Sequence, residues 1–186
     1  GALVLNLNGG AGNDTIDATN ALLGSVRLLI DGGTGDDVIT GSADADTILG
    51  GDGDAFVTAG TGADTIDGGA GDDSIDLTAL AITTARTITL TGSASNGFSG
   101  TEAVGDTFTG IDSVALNGGV SGNSLIGLNN DSVWDLGATP TYTTSSRVLG
   151  FSGIGAVTGG SAWDIFNVGA GGATLDVNGG AGNDQL

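Results

Sequence analysis

The sequence predicts an all-β fold, a right-handed parallel solenoid of the β-helix kind. Three observations carry this. First, five nine-residue pieces run in one unbroken register: GGTGDDVIT (32–40), GSADADTIL (41–49), GGDGDAFVT (50–58), AGTGADTID (59–67) and GGAGDDSID (68–76). Second, glycine supplies 38 of 186 residues, about three times its usual share. That much glycine is tolerable in a fold only where fixed positions need backbone angles other residues avoid. Third, no 3.6-residue apolar period persists, because Gly or Asn interrupts every candidate helix.

The elements follow in chain order. Residues 1–31 read as the first coils, with one complete copy of the word, GGAGNDTID, at 9–17. Residues 32–76 are the five tandem copies. Their eighth position reads Ile39, Ile48, Val57, Ile66 and Ile75, one inward residue per short strand. Stacked coils about 4.8 Å apart would align these into an internal ladder, so a narrow core needs few large side chains. Residues 77–170 read as larger coils with a looser repeat, FTGIDSVALNGG from Phe108 and FSGIGAVTGG from Phe151, 43 residues on. ARTITLTG and SSRVLG before them alternate like strands. Residues 171–186 begin the next unit. LDVNGGAGND (175–184) repeats LNLNGGAGND (5–14) at an offset of 170, as one period of a tandem array would.

Charge narrows the function. The chain has 22 acidic and 3 basic residues, no His and no Cys, and a formal net charge of -19. There is no imidazole base, thiolate nucleophile, zinc–thiolate site or disulfide. Such a surface repels nucleic acid and anionic membranes, and no stretch approaches the ~20 apolar residues of a bilayer span. Glu102, Asp106, Asp112, Asp131 and Asp135 show no spacing that marks a catalytic pair, so the chain reads as no enzyme. Trp134 and Tyr142, with Trp163, read as packing aromatics rather than a sugar-stacking surface. Arg27, Arg86 and Arg147 read as surface residues or partners of carboxylates.

Residues 31–76 hold 12 acids and no base. Each glycine-rich hexapeptide ends in a sixth-position residue, Asp37, Asp46, Ala55, Asp64 or Asp73. Glycine carbonyls turned toward one spot, joined by that carboxylate, form a hard oxygen set suited to calcium. One turn cannot supply six oxygens, but two stacked turns 18 residues apart can. The expected pairs are Asp46 with Asp64, and Asp14 with Asp37 across a coil enlarged by five residues. Ala55 deprives the two sites beside it of a carboxylate.

The nonapeptide resembles the RTX family of secreted calcium-binding repeats, whose pattern is Gly-Gly-x-Gly-x-Asp-x-apolar-x. The resemblance implies a β-roll holding several calcium ions. It gives the carboxylate role to Asp14, Asp37, Asp46, Asp64, Asp73 and Asp184, with Asp44 in the same set. The carbonyl role falls on Gly10, Gly12, Gly33, Gly35, Gly51, Gly53, Gly60, Gly62, Gly69 and Gly71. Ser42, Asp44 and Ala59 replace glycines, which reads as a mild departure. The expected role is a structural repeat of a secreted or cell-surface protein (fibre, adhesin stalk or surface layer). Its expected partners are copies of itself or tandem neighbours, end to end. The alternatives are an adhesive module for glycan or ice, and the calcium-dependent tail of an exported enzyme.

Overall fold

The computed structural model describes residues 3–21, 24, 26–78, 84–116, 120, 122–144, 147–169 and 175–186. Parts of the spans 77–170 and 171–186 therefore lie outside the described residues, including 79–83, 117–119 and 170–174. Among the described residues all regular elements are β-strands, and no helix is long and apolar enough to cross a membrane.

The repeats form β1 (Leu3–Ala11), β2 (Thr15–Asp17), β3 (Val26–Thr34), β4 (Val38–Thr40), β5 (Thr47–Asp52), β6 (Phe56–Thr58), β7 (Thr65–Ala70) and β8 (Ser74–Asp76). Each glycine turn reverses the chain. Odd-numbered strands therefore fall in one sheet and even-numbered strands in the other, all with parallel neighbours. Leu7 pairs with Ile30, Ile30 with Ile48, and Ile48 with Ile66. Opposite them, Ile16, Ile39, Val57 and Ile75 align in the same way. The eighth-position residues thus build two facing ladders, and all five of the tandem copies' members are buried. Parallel strands in two sheets are the arrangement of a β-roll.

Beyond β8 the order changes. β9 (Thr87–Ala94), β10 (Gly97–Glu102) and β11 (Thr107–Ile111) form an antiparallel meander in the first sheet. It runs backward, so that β11 lands beside β7 in parallel. β12 (Ser113–Ala115) then joins β8, and β13 (Ser124–Ile126) extends the first sheet beside β9. A second meander, β14 (Ser132–Asp135), β15 (Thr141–Thr144) and β16 (Arg147–Ser152), returns to β12 in the second sheet. β17 (Ala156–Thr158), β18 (Asp164–Asn167) and β19 (Asp176–Asn178) pair in parallel with β13, β14 and β17. Among the described residues each sheet therefore contains one inverted strand, β10 or β15. The cause is local. Ser95 and Asn96, followed by Gly97 at φ 134°, make a tight reversal, which suits antiparallel neighbours and not a coil.

The two copies of the 43-residue repeat cross the core in opposite directions. Phe108 lies in the first sheet and Val114 in the second, whereas Phe151 lies in the second and Val157 in the first. Here aromatics fill the core: Trp134 meets Tyr142 at 4.5 Å and stacks on Phe166 at 5.7 Å. Trp134 and Tyr142 are fully buried, while Trp163 is exposed.

Candidate metal centre

The turns stack glycine on glycine. All ten glycines of the expected carbonyl set have φ between 98° and 144°, a region open to glycine and strained for other residues. Main-chain bonds tie each turn to the next: the Gly12, Gly35 and Gly53 N–H groups donate to the Thr34, Asp52 and Ala70 carbonyls at 2.8, 2.7 and 2.6 Å.

A second set of bonds runs through the aspartates. The sixth-position N–H of one rung donates to the aspartate Oδ1 of the next, from Asp14 to Asp37, Asp46 to Asp64 and Ala55 to Asp73, each at 2.8 Å. The ladders continue past the repeats, from Asp64 to Asp106 Oδ1 at 2.9 Å and from Asp73 to Asp112 Oδ2 at 3.3 Å. Asp37, Asp64, Asp73, Asp106 and Asp112 thus each spend one oxygen on an amide. Oδ2 of Asp14, Asp37, Asp64 and Asp73 is buried, with no hydrogen-bond partner among the described residues. A buried carboxylate oxygen without a donor is costly, so it calls for a cation.

What surrounds that oxygen fits calcium. A methyl group built on Gly9 would lie 2.8 Å from Asp14 Oδ2 and 2.5 Å from the Gly32 carbonyl oxygen. On Gly32 it would meet Asp37 Oδ2 and, at 2.5 Å, the Gly50 carbonyl oxygen. A carboxylate and a carbonyl of the next rung therefore converge above the first glycine of these two turns. These first-position carbonyls, Gly32 and Gly50, are donors that the sequence reading passed over in favour of the second and fourth positions. Among the described residues no three acidic side chains gather on one point. The donor set is one carboxylate per rung with main-chain oxygens, hard ligands of the calcium type.

The family comparison agrees with this donor set. The model of the RTX calcium-binding nonapeptide repeat (4 copies) matches residues 6–20, 29–57 and 49–79. These residues carry RTX calcium-binding nonapeptide repeats. No curated protein and no solved structure matches the chain. The RTX repeat is a calcium-binding structural unit rather than a catalytic one, and RTX proteins are typically secreted by type I systems.

The RTX aspartates are not equivalent. Asp46 has both oxygens engaged: Ser42 donates its N–H at 2.7 Å and its hydroxyl at 2.8 Å to Oδ2, and the Leu28 N–H donates to Oδ1 at 3.3 Å. In the Asp46–Asp64 pair the unpartnered oxygen therefore belongs to Asp64 alone. Asp44 is half-buried, its N–H donating to Ser42 Oγ at 3.2 Å. Asp184 is exposed, yet its Oδ1 accepts the Asp164 N–H at 3.1 Å. Asp164 was not singled out by sequence; it is buried, with the Gly160 N–H on Oδ2 at 2.9 Å and the Ser132 hydroxyl on Oδ1. GGSAWD at 159–164 was its signal.

Burial pushes the Asp64 carboxyl up to about 7, with the charges of Asp106 and Asp46 adding to it and the Asp46 N–H opposing. Burial likewise raises Asp73 to about 6, helped by Asp112. A carboxyl raised on folding adds stability that is full below its unfolded value near 3.8 and lost as pH climbs through 6 to 7. In chelator the repeats should therefore keep more β-structure at pH 5 than at pH 8, read by circular dichroism. With calcium the trend should invert, because protons and metal compete for the same oxygens. A chelator profile that rises with pH would contradict this.

Ala55 makes a further test. The first glycine of its turn, Gly50, faces the Gly68 carbonyl, but no carboxylate joins it. Ala55→Asp should add about one ion to the stoichiometry measured by equilibrium dialysis. The same change should lower stability in chelator, since it buries another unpaired charge.

Proposed function

We propose that the chain is a calcium-rigidified structural segment of a secreted or cell-surface protein, a right-handed parallel solenoid that continues end to end into further copies or tandem neighbours. Calcium would be held by Asp14, Asp37, Asp64 and Asp73 with the stacked glycine carbonyls, turning repulsion along the rungs into ligation. The observation that carries the reading is the row of buried carboxylate oxygens that the protein itself leaves without a donor. A fibre, adhesin stalk or surface layer needs such stiffness outside the cell, where calcium is abundant.

End-to-end continuation draws support from the sheet edges. Among the described residues β1 and β19 are the two edges of the first sheet, and Leu3, Val4 and Leu5 are exposed on β1. The rung at 175–184 carries almost the same word as the rung at 5–14. An unpaired edge meeting its own repeat invites a head-to-tail strand pair. Sedimentation velocity at millimolar calcium should show oligomers that Leu3→Asp with Leu5→Asp abolishes. A monomer at every concentration would remove the assembly part of the proposal.

A further inference from the structure

Two of the chain's three basic residues stand where the aspartate ladders end. In the first ladder the Asp64 N–H donates to Asp106 Oδ1, as the Asp46 N–H does to Asp64. Asp64 Oδ2 is left without a partner, but Asp106 Oδ2 faces Arg86 Nη1 at 3.9 Å. The same Nη1 lies 3.3 Å from Glu102 Oε2, and all three side chains are buried. Arg86 also occupies the aspartate's place in the register. Arg86-Thr87-Ile88 aligns with Asn123-Ser124-Leu125, and the Arg86 N–H donates to Asn123 Oδ1 at 3.0 Å, the same rung-to-rung bond.

The second ladder ends in the same manner. The Asp73 N–H donates to Asp112 Oδ2 at 3.3 Å, and the other Asp112 oxygen is ion-paired with Arg147 Nη2. Arg147 Nη1 donates to the Ser95 carbonyl at 3.1 Å, which holds the guanidinium in place. Carboxylates with one common amide bond thus fall into two classes. Within the repeats the second oxygen of Asp37, Asp64 and Asp73 is bare, whereas that of Asp46 is closed by Ser42. At Asp106 and Asp112 it meets a guanidinium, a permanent charge that is weakly hydrated and suited to burial.

We propose that Arg86 and Arg147 are resident cations that close the two calcium ladders, so that the rungs of Asp106 and Asp112 hold without calcium and template the calcium-dependent rungs before them. The inference rests on the calcium reading of the turns. A cation fixed by the chain sets where metal binding stops, and it gives the folding repeats an edge already formed. Building a first parallel rung is the slow step of such a stack, because its contacts are non-local.

Hydrogen exchange by mass spectrometry on the full chain, with calcium stoichiometry by equilibrium dialysis, tests it. In chelator the unsubstituted protein should keep amides 107–115 protected while those of 14–55 exchange freely. Arg86→Gln and Arg147→Gln should each lose the 107–115 protection in chelator, regain it in calcium, and bind about one further ion. Asp112→Asn together with Arg147→Gln removes both charges and should restore chelator protection and the original stoichiometry. A merely structural arginine would not be rescued in this way. If a single variant fails to fold at any calcium level, the neutral pair decides: its protection supports the proposal and its loss overturns it. Arginine variants that leave protection and stoichiometry unchanged overturn the inference alone. Amides 14–55 protected equally in chelator and calcium overturn the calcium reading and the inference with it.

Discussion

In chelator at pH 8, residues 9–76 lose their β-structure; millimolar calcium restores it, and magnesium does not. The magnitude follows from the buried oxygens. Asp14, Asp37, Asp64 and Asp73 each hold one without a donor. Each costs about 1–3 kcal/mol, and more when charged, against a typical domain stability of about 5–15 kcal/mol. Neighbouring charges add to this, and residues 31–76, with 12 acids and no base, have no internal remedy. Calcium accepts irregular sets of carboxylate and carbonyl oxygens, whereas magnesium demands a compact octahedron and gives up water reluctantly. The midpoint should lie near 0.1–1 mM, as for extracellular modules. Circular dichroism against calcium, with magnesium alongside, reads the result. Full β-structure in chelator, unmoved by calcium, would refute the folding switch.

Gly51→Ala should abolish the folded repeats even in saturating calcium, while Gly12→Ala should only weaken them. Both glycines have positive φ, 105° and 104°. Alanine there costs about 1–2 kcal/mol. The two sites differ in what a new methyl group meets. At Gly51 it runs into the Gly33 carbonyl of the preceding rung, with the carbonyl carbon at 2.9 Å and the nitrogen at 3.0 Å. That neighbour is backbone inside a ladder and cannot step aside without breaking the stack. At Gly12 nothing lies within 4 Å. Denaturant unfolding in calcium should show a loss of about 1–2 kcal/mol for Gly12→Ala and no cooperative repeat transition for Gly51→Ala. Equal losses at both sites would show that the rungs are not packed carbonyl on glycine.

The repeat region was legible because identical residues recur at a spacing that geometry translates directly. Ile39, Ile48, Val57, Ile66 and Ile75 alternate between two ladders since each turn reverses the chain. The ends of the aspartate ladders were harder to read. Asp106-Thr107-Phe108 and Asp112-Ser113-Val114 keep the triplet of Asp64-Thr65-Ile66, but the glycine turn before them is gone, so no period announces them. Ser42 looked like a mild replacement for glycine. Its hydroxyl nonetheless closes the Asp46 carboxylate, a local bond that pattern matching does not price. The meanders were hidden for a related reason. Ser-Asn-Gly at 95–97 reads like any other turn, and only the pairing partner decides whether a reversal continues a coil or folds back.

The inverted strands settle a problem that a monotonous chain creates for itself. Five near-identical words are almost interchangeable, so the rung of Asp46 and Ile48 displaced by eighteen residues would still bury an isoleucine and still find a carboxylate, at Ile66 and Asp64. Slippage of that kind is cheap wherever both arrangements satisfy the same alternation. β10 and β15 are flanked on both sides by strands running the other way, an arrangement no displaced word can counterfeit. They act as an index mark from which the counting of identical words begins.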